Sequence, residues 1–471
     1  MTGEATRPDR VAAVAFASIC ACAARCATTH STVTMTRRTT ALAVALLVAL
    51  LHAPSAHAQR RSSFPSDEFE QHFQQLHEKL LEVEQHYEDE PVIELVTMGI
   101  GSLIWERHGH IALCVHYSNR RHDCYNYGIG DFHHPVGMGW GFFRGTGSFW
   151  VGKSSIDEML SIYLFTDRTI WIQPLPLTPE QKKKVIDKLE FDILDANRYY
   201  AYDHFWDNCT TRVRNILDDV TGGALSKMPE TTDDRTYRDL AREGFFGMRV
   251  PLLITDIAMG RVTDRVPTYY ERMFLPQYLR EAAAKLWKIQ PIAIYERKGD
   301  PPLSDGPSGR VWFALVIILL TSPSWLTRLI GRLPRTGLAL SVIPYVILGT
   351  VLTFLAIISP LPYVRWNETC LVLLPLDVLV LVLPADKRRR YARGRIVMLG
   401  VIAALWLVGI MKQPLLAALL WPAIPLAVAG FWPVKPAAIG RAGASEGEGD
   451  GDGDGKRTPS ESKAKRTPKR R

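Results

Sequence analysis

The residues of this chain best suited to chemistry are a cysteine and a histidine far apart in the sequence. Cys209 opens a stretch, Cys209–Val220, whose apolar residues recur at helical spacing, so it lies at or near a helix N-terminus. Helix N-termini carry unpaired N–H groups that stabilise a thiolate and can hold an oxyanion. The alternative is a small buried cysteine that packs a helix end, which is common for this residue type.

The histidine is His110, which opens the strand-like run His110–Tyr117. Strand alternation places His110 on the same face as Ala112 and Cys114. An imidazole that faces the thiol of Cys209 would give a Cys–His nucleophile. We therefore expect His110 to act as the base for Cys209.

A third group is needed to fix the imidazole tautomer. A polar turn separates the first strand from a second, Asp123–Tyr127. If Cys114 pairs opposite Cys124, Asn126 lies beside His110 on the same face, and we expect it to orient the ring. Asp131 competes for that role, and Asn208 is a further candidate to orient the ring or to hold an oxyanion.

The same register permits a disulfide between Cys114 and Cys124. Two reduced cysteines in a small core are the alternative, and an oxidising compartment favours the bridge. The neighbouring histidines, His108, His116 and His122, are expected to be structural. Metal-ligand spacing and nucleotide-binding loops are missing from the sequence, so we expect no metal and no cofactor.

The N-terminal residues predict export. Residues 1–34 lack a fold pattern and read as an extension that is not native, since a second start residue follows at Met35. Residues 35–58 have the charged start, apolar centre and small-x-small end of a signal peptide, with cleavage before Gln59. An uncleaved signal anchor is the alternative.

Composition divides the rest of the 471 residues into unlike parts, although mean hydropathy is −0.01 and net charge only +8. Residues 59–90 predict an amphipathic helix, and 91–300 a mixed α+β domain with further strands over 93–98 and 170–176. We expect a helix over Pro179–Asn197 and a loop over Gly128–Gly152. The tail, 437–471, has a composition typical of disorder.

The stretch 311–434 predicts an all-α membrane domain with about five spans, at 311–327, 337–358, 370–385, 396–411 and 415–434. Arginine and lysine are concentrated in the loops that would lie inside. Trp366, Asn367 and Glu368 fall in an outer loop and form a second tier of site residues. Asp377 lies within the third span, where a carboxyl marks either a functional position or helix–helix pairing.

Several short motifs resemble the Lnb N-terminal periplasmic domain family, named for a bacterial lipoprotein N-acyltransferase. They are His108-Gly109-His110, Tyr125-Asn126-Tyr127-Gly128, Asp203–Arg212 and Met273-Phe274-Leu275-Pro276. The order of histidine before Asn-Cys also resembles the permuted papain-like enzymes related to lecithin–retinol acyltransferase. Trp366-Asn367-Glu368 and Leu373–Leu376 are similar to the family's membrane part, whereas His108 stands where the family usually has phenylalanine.

The resemblance implies a permuted papain-like α+β domain outside the cytoplasm, followed by the membrane helices. It implies that Cys209 takes an acyl chain from a phospholipid as a thioester and passes it to the N-terminal amine of a lipoprotein. The protein would lie in the bacterial inner membrane with a periplasmic catalytic domain and a cytoplasmic tail. A cell-wall cysteine peptidase or amidase and a non-catalytic membrane sensor are the alternatives, and no nucleic-acid partner is expected.

Overall fold

A computed structural model describes residues 66–88, 91–118, 121–131, 134–300 and 309–432. The extension 1–34, the signal peptide 35–58 and the tail 437–471 lie outside the described residues. The expected N-terminal helix is present as α1, Ser66–Glu84, and it ends before residue 90. Pro91 disfavours helical backbone at the residue before it, and acidic side chains at the end of α1 oppose the helix dipole.

The N-terminal part of the described chain, residues 66–300, is built on one sheet of seven strands. They are β1 Val92–Met98, β2 His110–His116, β3 His122–Ile129, β4 Ser148–Ser155, β5 Ile170–Leu175, β6 Tyr199–Ala201 and β7 Ile292–Tyr295. The strands are antiparallel and lie in the order β6-β4-β3-β2-β1-β5-β7. The helices of this part are α2 Pro135–Phe143, α3 Ile156–Phe165, α4 Pro179–Asp192, α5 Cys209–Val220, α6 Tyr237–Gly244, α7 Arg249–Ala258, α8 Tyr269–Arg272 and α9 Pro276–Trp287. The α+β class is therefore confirmed for this part of the chain.

The two faces of the sheet pack against different helices. Ile111, Leu113 and Val115 belong to the core that contains Cys209 and the apolar side of α5. Ala112 and Cys114 belong to the opposite core, which α1 and α3 cover. The predicted alternation along β2 is confirmed, and β2 therefore contributes side chains to both layers.

The loop expected over Gly128–Gly152 is wrong, because this stretch contains α2 and β4. Pro135 occupies the first turn of α2, a position where its missing N–H costs nothing. Gly141 and Gly147 pack closely, since a Cβ on Gly141 would lie 3.2 Å from the Cα of Gly147. The glycines that permit this tight return also hide the periodicity of both elements.

The second part of the chain is helical, with four longer helices and several short ones. They are α10 Gly309–Ile330, α11 Pro334–Ile358, α12 Pro362–Arg365, α13 Thr369–Val372, α14 Leu379–Val382, α15 Ala385–Leu407 and α16 Leu416–Phe431, with a 3₁₀ turn at Pro375–Val378. Among the described helices, α11 alone is both long and apolar enough to cross a membrane. The expected third span, 370–385, is broken into short pieces, because Pro375 and Pro384 cannot donate helical hydrogen bonds.

Opposite ends of this helical part carry different contacts. At one end, Lys412 N donates to Glu368 Oε2 at 2.9 Å, so the loops before α13 and α16 meet. At the other end, Arg328 donates to Trp432 O at 3.1 Å. The positive charges of Arg388 and Arg389 lie near its guanidinium.

Candidate active site

The helix that carries Cys209 is held at its first turn by Asn208. The Asn208 side chain accepts from Thr211 N at 2.9 Å, and Thr211 Oγ1 accepts from Asn208 N at 2.7 Å. Asn208 also donates its amide to the backbone oxygens of His204 and Phe274, at 2.7 and 3.0 Å. One amide proton thus holds the preceding loop and the other holds the segment around Phe274, while the side-chain oxygen caps the helix.

Two acidic residues, Asp203 and Asp207, fix the conformation of the loop before Cys209. Asp203 Oδ1 accepts from the backbone N–H groups of Phe205 and Trp206, at 2.9 and 3.0 Å. Asp207 forms a two-point ion pair with Arg212, at 2.7 and 2.8 Å. The conspicuous polar residues of Asp203–Arg212 therefore set the backbone from which the sulfur projects, a role that the motif alone does not reveal.

The thiol of Cys209 is buried, with 9% of the residue exposed. Its sulfur lies 3.7 Å from Thr210 Oγ1 and within reach of the backbone N–H groups of Ile111 and Thr210. Burial raises the pKa of the Cys209 thiol, and these donors together with Arg168 oppose that rise only in part. The resting sulfur is consequently the neutral thiol, so a base must activate it.

The register of the hairpin explains why the Ile111 N–H is available to the sulfur. Cys114 pairs opposite Cys124 with the two Cα atoms 4.0 Å apart, the spacing of a non-hydrogen-bonded pair. The N–H of Ile111 therefore points towards β3. The ladder with β3 ends at Ala112 opposite Asn126, so this N–H meets the thiol instead of a strand oxygen.

Space for the sulfur comes from Gly128, at the point where β3 bends away from β2. Gly128 has a φ of +85°, and a Cβ there would lie 3.5 Å from the Cβ of Cys209. The same atom would lie 3.6 Å from the Tyr200 hydroxyl and 3.8 Å from the Tyr202 ring. A side chain at residue 128 would occupy the volume beside the thiol.

His110 stands at the start of β2, directly before the residue whose N–H meets the thiol. Its ring stacks on Tyr163, with centroids 5.9 Å apart. Burial and the charge of Arg168 lower the pKa of His110 to about 3, although the amide of Asn126 favours the protonated ring. The resting imidazole is neutral and has the protonation state that a general base requires.

Asn126 takes the position expected of the orienting group. It pairs opposite Ala112 and interacts with His110 across the sheet face, and its buried Oδ1 meets no partner at full hydrogen-bond geometry. Asp131 lies beyond the end of β3 and is exposed. The structure therefore brings Asn126, and not Asp131, to the imidazole.

The thiol and the imidazole both lie at the start of β2, since the ring belongs to His110 and the sulfur contacts the N–H of the next residue, Ile111. Alternation directs the His110 side chain towards α3, whereas the sulfur arrives from α5 on the other side. Arg168 and Tyr163 lie close enough to affect both groups electrostatically or by stacking. In the described part of the chain the imidazole and the sulfur share no direct hydrogen bond, which is common for catalytic pairs without substrate.

The other two cysteines of residues 66–300, Cys114 and Cys124, form the expected disulfide. Cys114 and Cys124 are joined by a disulfide between β2 and β3. Because Asn126 lies one same-face position beyond Cys124, the bridge fixes the strand pair that aligns Asn126 with His110.

The second-tier residues Asn367 and Glu368 join the two parts of the chain. Asn367 donates to the backbone oxygens of Ile257 and Ala258, at 2.9 and 3.1 Å. Glu368 accepts from Gln413 N at 3.0 Å and pairs with Arg261 at 3.4 Å. These side chains are buried and connect the helical part to residues 257–261 of the N-terminal part.

Two further second-tier residues have different surroundings. The side chain of Trp366 is exposed, while its backbone oxygen accepts from Arg261 N at 2.9 Å. Asp377 is fully buried and forms a two-point ion pair with Arg395, at 2.7 and 3.0 Å. Tyr391 donates to the same carboxyl at 2.9 Å. The helix–helix pairing role is the one that these contacts support for Asp377.

Tyr363, in α12, contacts the loop that precedes Cys209 and was not among the predicted site residues. Its ring lies 5.1 Å from that of Phe205 and 5.7 Å from that of Trp206. Pro360 packs against Gly145 at the same boundary, so closely that a Cβ on Gly145 would clash with the proline ring. The helical part thus buttresses the loop that precedes Cys209, a contact that sequence spacing cannot show.

Comparison with known proteins gives one family. No curated protein and no solved structure matches the chain significantly. Residues 84–243 match the profile of the family described as the Lnb N-terminal periplasmic domain, and this confirms the resemblance that the motifs indicated.

Proposed function

We propose that the protein is a thiol acyltransferase, which moves an acyl chain from a phospholipid to the N-terminal amine of bacterial lipoproteins. One observation carries the proposal: a buried cysteine begins a helix with the N–H of Ile111 and the N–H of Thr210 at its sulfur, and His110 directly precedes Ile111. The periplasmic-domain family match and the apolar helix α11 support a membrane-bound substrate.

In the first half-reaction, His110 takes the thiol proton and the sulfur of Cys209 attacks the ester carbonyl of the phospholipid. The N–H groups of Ile111 and Thr210 are placed to stabilise the oxyanion that forms. The C–O bond then breaks, and the lysophospholipid leaves as an alcohol with the proton from the imidazole. The acyl chain remains on Cys209 as a thioester.

In the second half-reaction, the amine of the lipoprotein attacks the thioester carbonyl. The amine proton passes to His110 and then to the departing sulfur, so an amide forms and the thiol is restored. Asn126 keeps the same imidazole tautomer through both steps. One base thus serves both transfers.

Access for lipid is supported by the contact between α2 and α11. Trp140 of α2 stacks on Phe354 of α11 with centroids 6.2 Å apart. Phe142 of α2 lies 6.4 Å from Tyr202, which borders the space beside the thiol. Aromatic side chains therefore connect the apolar helix with the surroundings of Cys209, along the path that an acyl chain requires.

The test uses the full chain in vesicles that contain phospholipid with a labelled acyl chain. We expect label on Cys209 as a hydroxylamine-sensitive thioester, none in Cys209→Ala, and normal labelling in Cys370→Ala, which removes the other free thiol of the described residues. Addition of a peptide with a diacylated N-terminal cysteine should discharge the label onto its amine. Discharge only to water, or cleavage of peptidoglycan stem peptides, would support the hydrolase instead.

A further inference from the structure

A second cluster of reactive side chains lies at the end of the β2–β3 hairpin that is distant from His110. Glu84 ends α1, His116 ends β2 and His122 begins β3. Glu84 Oε2 lies 3.7 Å from His116 Nε2, and Glu84 Oε1 lies 3.4 Å from His122 Nδ1. One nitrogen or oxygen of each residue lies within 4.8 Å of the other two.

These separations are close to those of a metal site. Zinc binds imidazole nitrogen and carboxylate oxygen at about 2.0–2.2 Å with tetrahedral geometry, which places neighbouring ligand atoms about 3.3–3.5 Å apart. The Glu84–His122 separation falls in that range, and the Glu84–His116 separation exceeds it by a few tenths of an ångström at most. Small side-chain rotations would complete the triangle.

The surroundings of His122 are those of a metal-binding imidazole. Its Nε2 bonds to the carboxylate of Glu94, which is fully buried, and Tyr87 donates its hydroxyl to the same carboxylate at 2.5 Å. Metal-ligating histidines typically donate their second ring N–H to a carboxylate, which fixes the tautomer and turns the other nitrogen towards the ion. Here that other nitrogen, Nδ1, points to Glu84.

The charge balance of the cluster also favours a cation. Two carboxylates, Glu84 and Glu94, meet two buried imidazoles, and the last turn of α1 contains no basic residue. A cation at a helix C-terminus is stabilised by the helix dipole. The side chain of Glu84 is 17% exposed, so its side of the cluster is open to a water molecule as fourth ligand.

We propose that Glu84, His116 and His122 bind one divalent transition-metal ion of the zinc class, with Glu94 and Tyr87 supporting His122. The ion would fasten α1 to the β2–β3 hairpin. His116 lies six residue steps from His110 along β2, or about 20 Å at ~3.3 Å a step, so the site is distinct from the thiol chemistry. Its ligands come from three elements, which is why no short spacing in the sequence reveals them.

The test is a zinc titration of the full chain carrying Cys209→Ala, purified without a polyhistidine tag. This background removes a thiol that could bind zinc and leaves the proposed site intact. Competition with a chromophoric chelator should give one equivalent of zinc with micromolar or tighter affinity. Glu84→Gln and His116→Gln should each weaken binding at least 100-fold, and Glu94→Gln about 10- to 100-fold.

His86→Gln is the matched control, because His86 lies two residues beyond Glu84 and its ring donates to Glu82 O, away from the proposed ligands, in the described structure. It should bind zinc normally. Circular dichroism and an intact disulfide would show that each variant is folded. X-ray absorption of the bound ion should report two imidazole ligands. Absence of stoichiometric zinc binding, or equal binding by Glu84→Gln and His86→Gln, would overturn the proposal without affecting the acyltransferase.

Discussion

At the scale of single residues, the protonation states of Cys209 and His110 set the chemistry. Burial raises the thiol pKa and lowers the imidazole pKa, so the neutral pair is the resting form. A thiolate–imidazolium pair would need the opposite shifts. The site is therefore expected to generate its nucleophile only as the substrate is attacked.

The pH dependence of Cys209 alkylation follows from these shifts. In a Cys370→Ala background, the rate with a small uncharged alkylating agent should climb steadily from pH 6 to 9, because the thiolate fraction grows towards a raised pKa. A resting ion pair would instead give a rate that is already constant near pH 6. Mass spectrometry of the Cys209 peptide measures the rate, and a plateau below pH 7 would contradict the neutral pair.

Gly128 provides a second test at this scale. Gly128→Ala places a Cβ beside the Cys209 side chain at a φ of +85° and should abolish most of the thioester formation. The backbone strain alone should cost about 1 kcal/mol of stability.

The control for Gly128 is Gly222→Ala. Gly222 has a φ of +67°, and a Cβ there meets nothing within 4 Å in the described part of the chain. It should lose similar stability and keep its labelling. Equal labelling by the two variants would show that the volume beside the sulfur is not used.

At the scale of elements, the sequence predicted what local patterns encode. The alternation of residue types along β2 predicted which side chains lie on each face of the sheet. The short turn of the hairpin predicted that Cys114 lies opposite Cys124, and the structure confirms this register. The stretch containing α2 and β4 was missed, because glycine spacing masks periodicity. The broken passage around Pro375 was missed, because apolar composition alone suggests a continuous span.

The side of the sheet from which the sulfur arrives could not be predicted either. It depends on which face of the sheet α5 packs against, and this packing is a tertiary feature. Sequence reasoning proposed His110, Asn126 and Cys209 as site residues by residue type, and their catalytic roles stay a prediction. The structure adds the backbone N–H of Ile111, which no residue type can indicate.

The cap of α5 can be tested as an element. Asn208→Ala removes one cap acceptor, one donor to the preceding loop and one donor to Phe274 O, and it should lower stability by about 1–2 kcal/mol. Thiol labelling should fall further, since the loop fixes the sulfur. Thr178→Ala removes the equivalent cap of α4 and should cost similar stability with labelling retained. Denaturant unfolding and the vesicle assay give the two readouts.

At the scale of the whole molecule, buried polar contacts hold the helical part together and attach it to the N-terminal part, residues 66–300. Asn367 and Glu368 bind backbone from both sides of this junction. Asp377 and Arg395 pair within the helical part, where neither side chain is more than 5% exposed. The polar residues that the sequence suggested as functional in this region are thus engaged in assembly.

The Asp377–Arg395 pair offers a test at this scale. Asp377→Asn leaves the Arg395 guanidinium buried without its counter-charge, which should cost about 3–5 kcal/mol. The double variant Asp377→Leu with Arg395→Met should recover much of this loss, because both charges are gone. Unfolding in detergent measures both, and a double variant as unstable as the sum of the single ones would contradict the pairing role.

Three side chains at α12 of the helical part belong to the same apolar core that surrounds Cys209. They are Leu361, Tyr363 and Val364. A fragment that stops at residue 300 would therefore lack part of its own interior. Its uncovered surface would be apolar and prone to aggregation, so expression of this fragment alone should yield little native protein. The reactive sulfur can be handled in isolation only if this short outer segment is supplied as well.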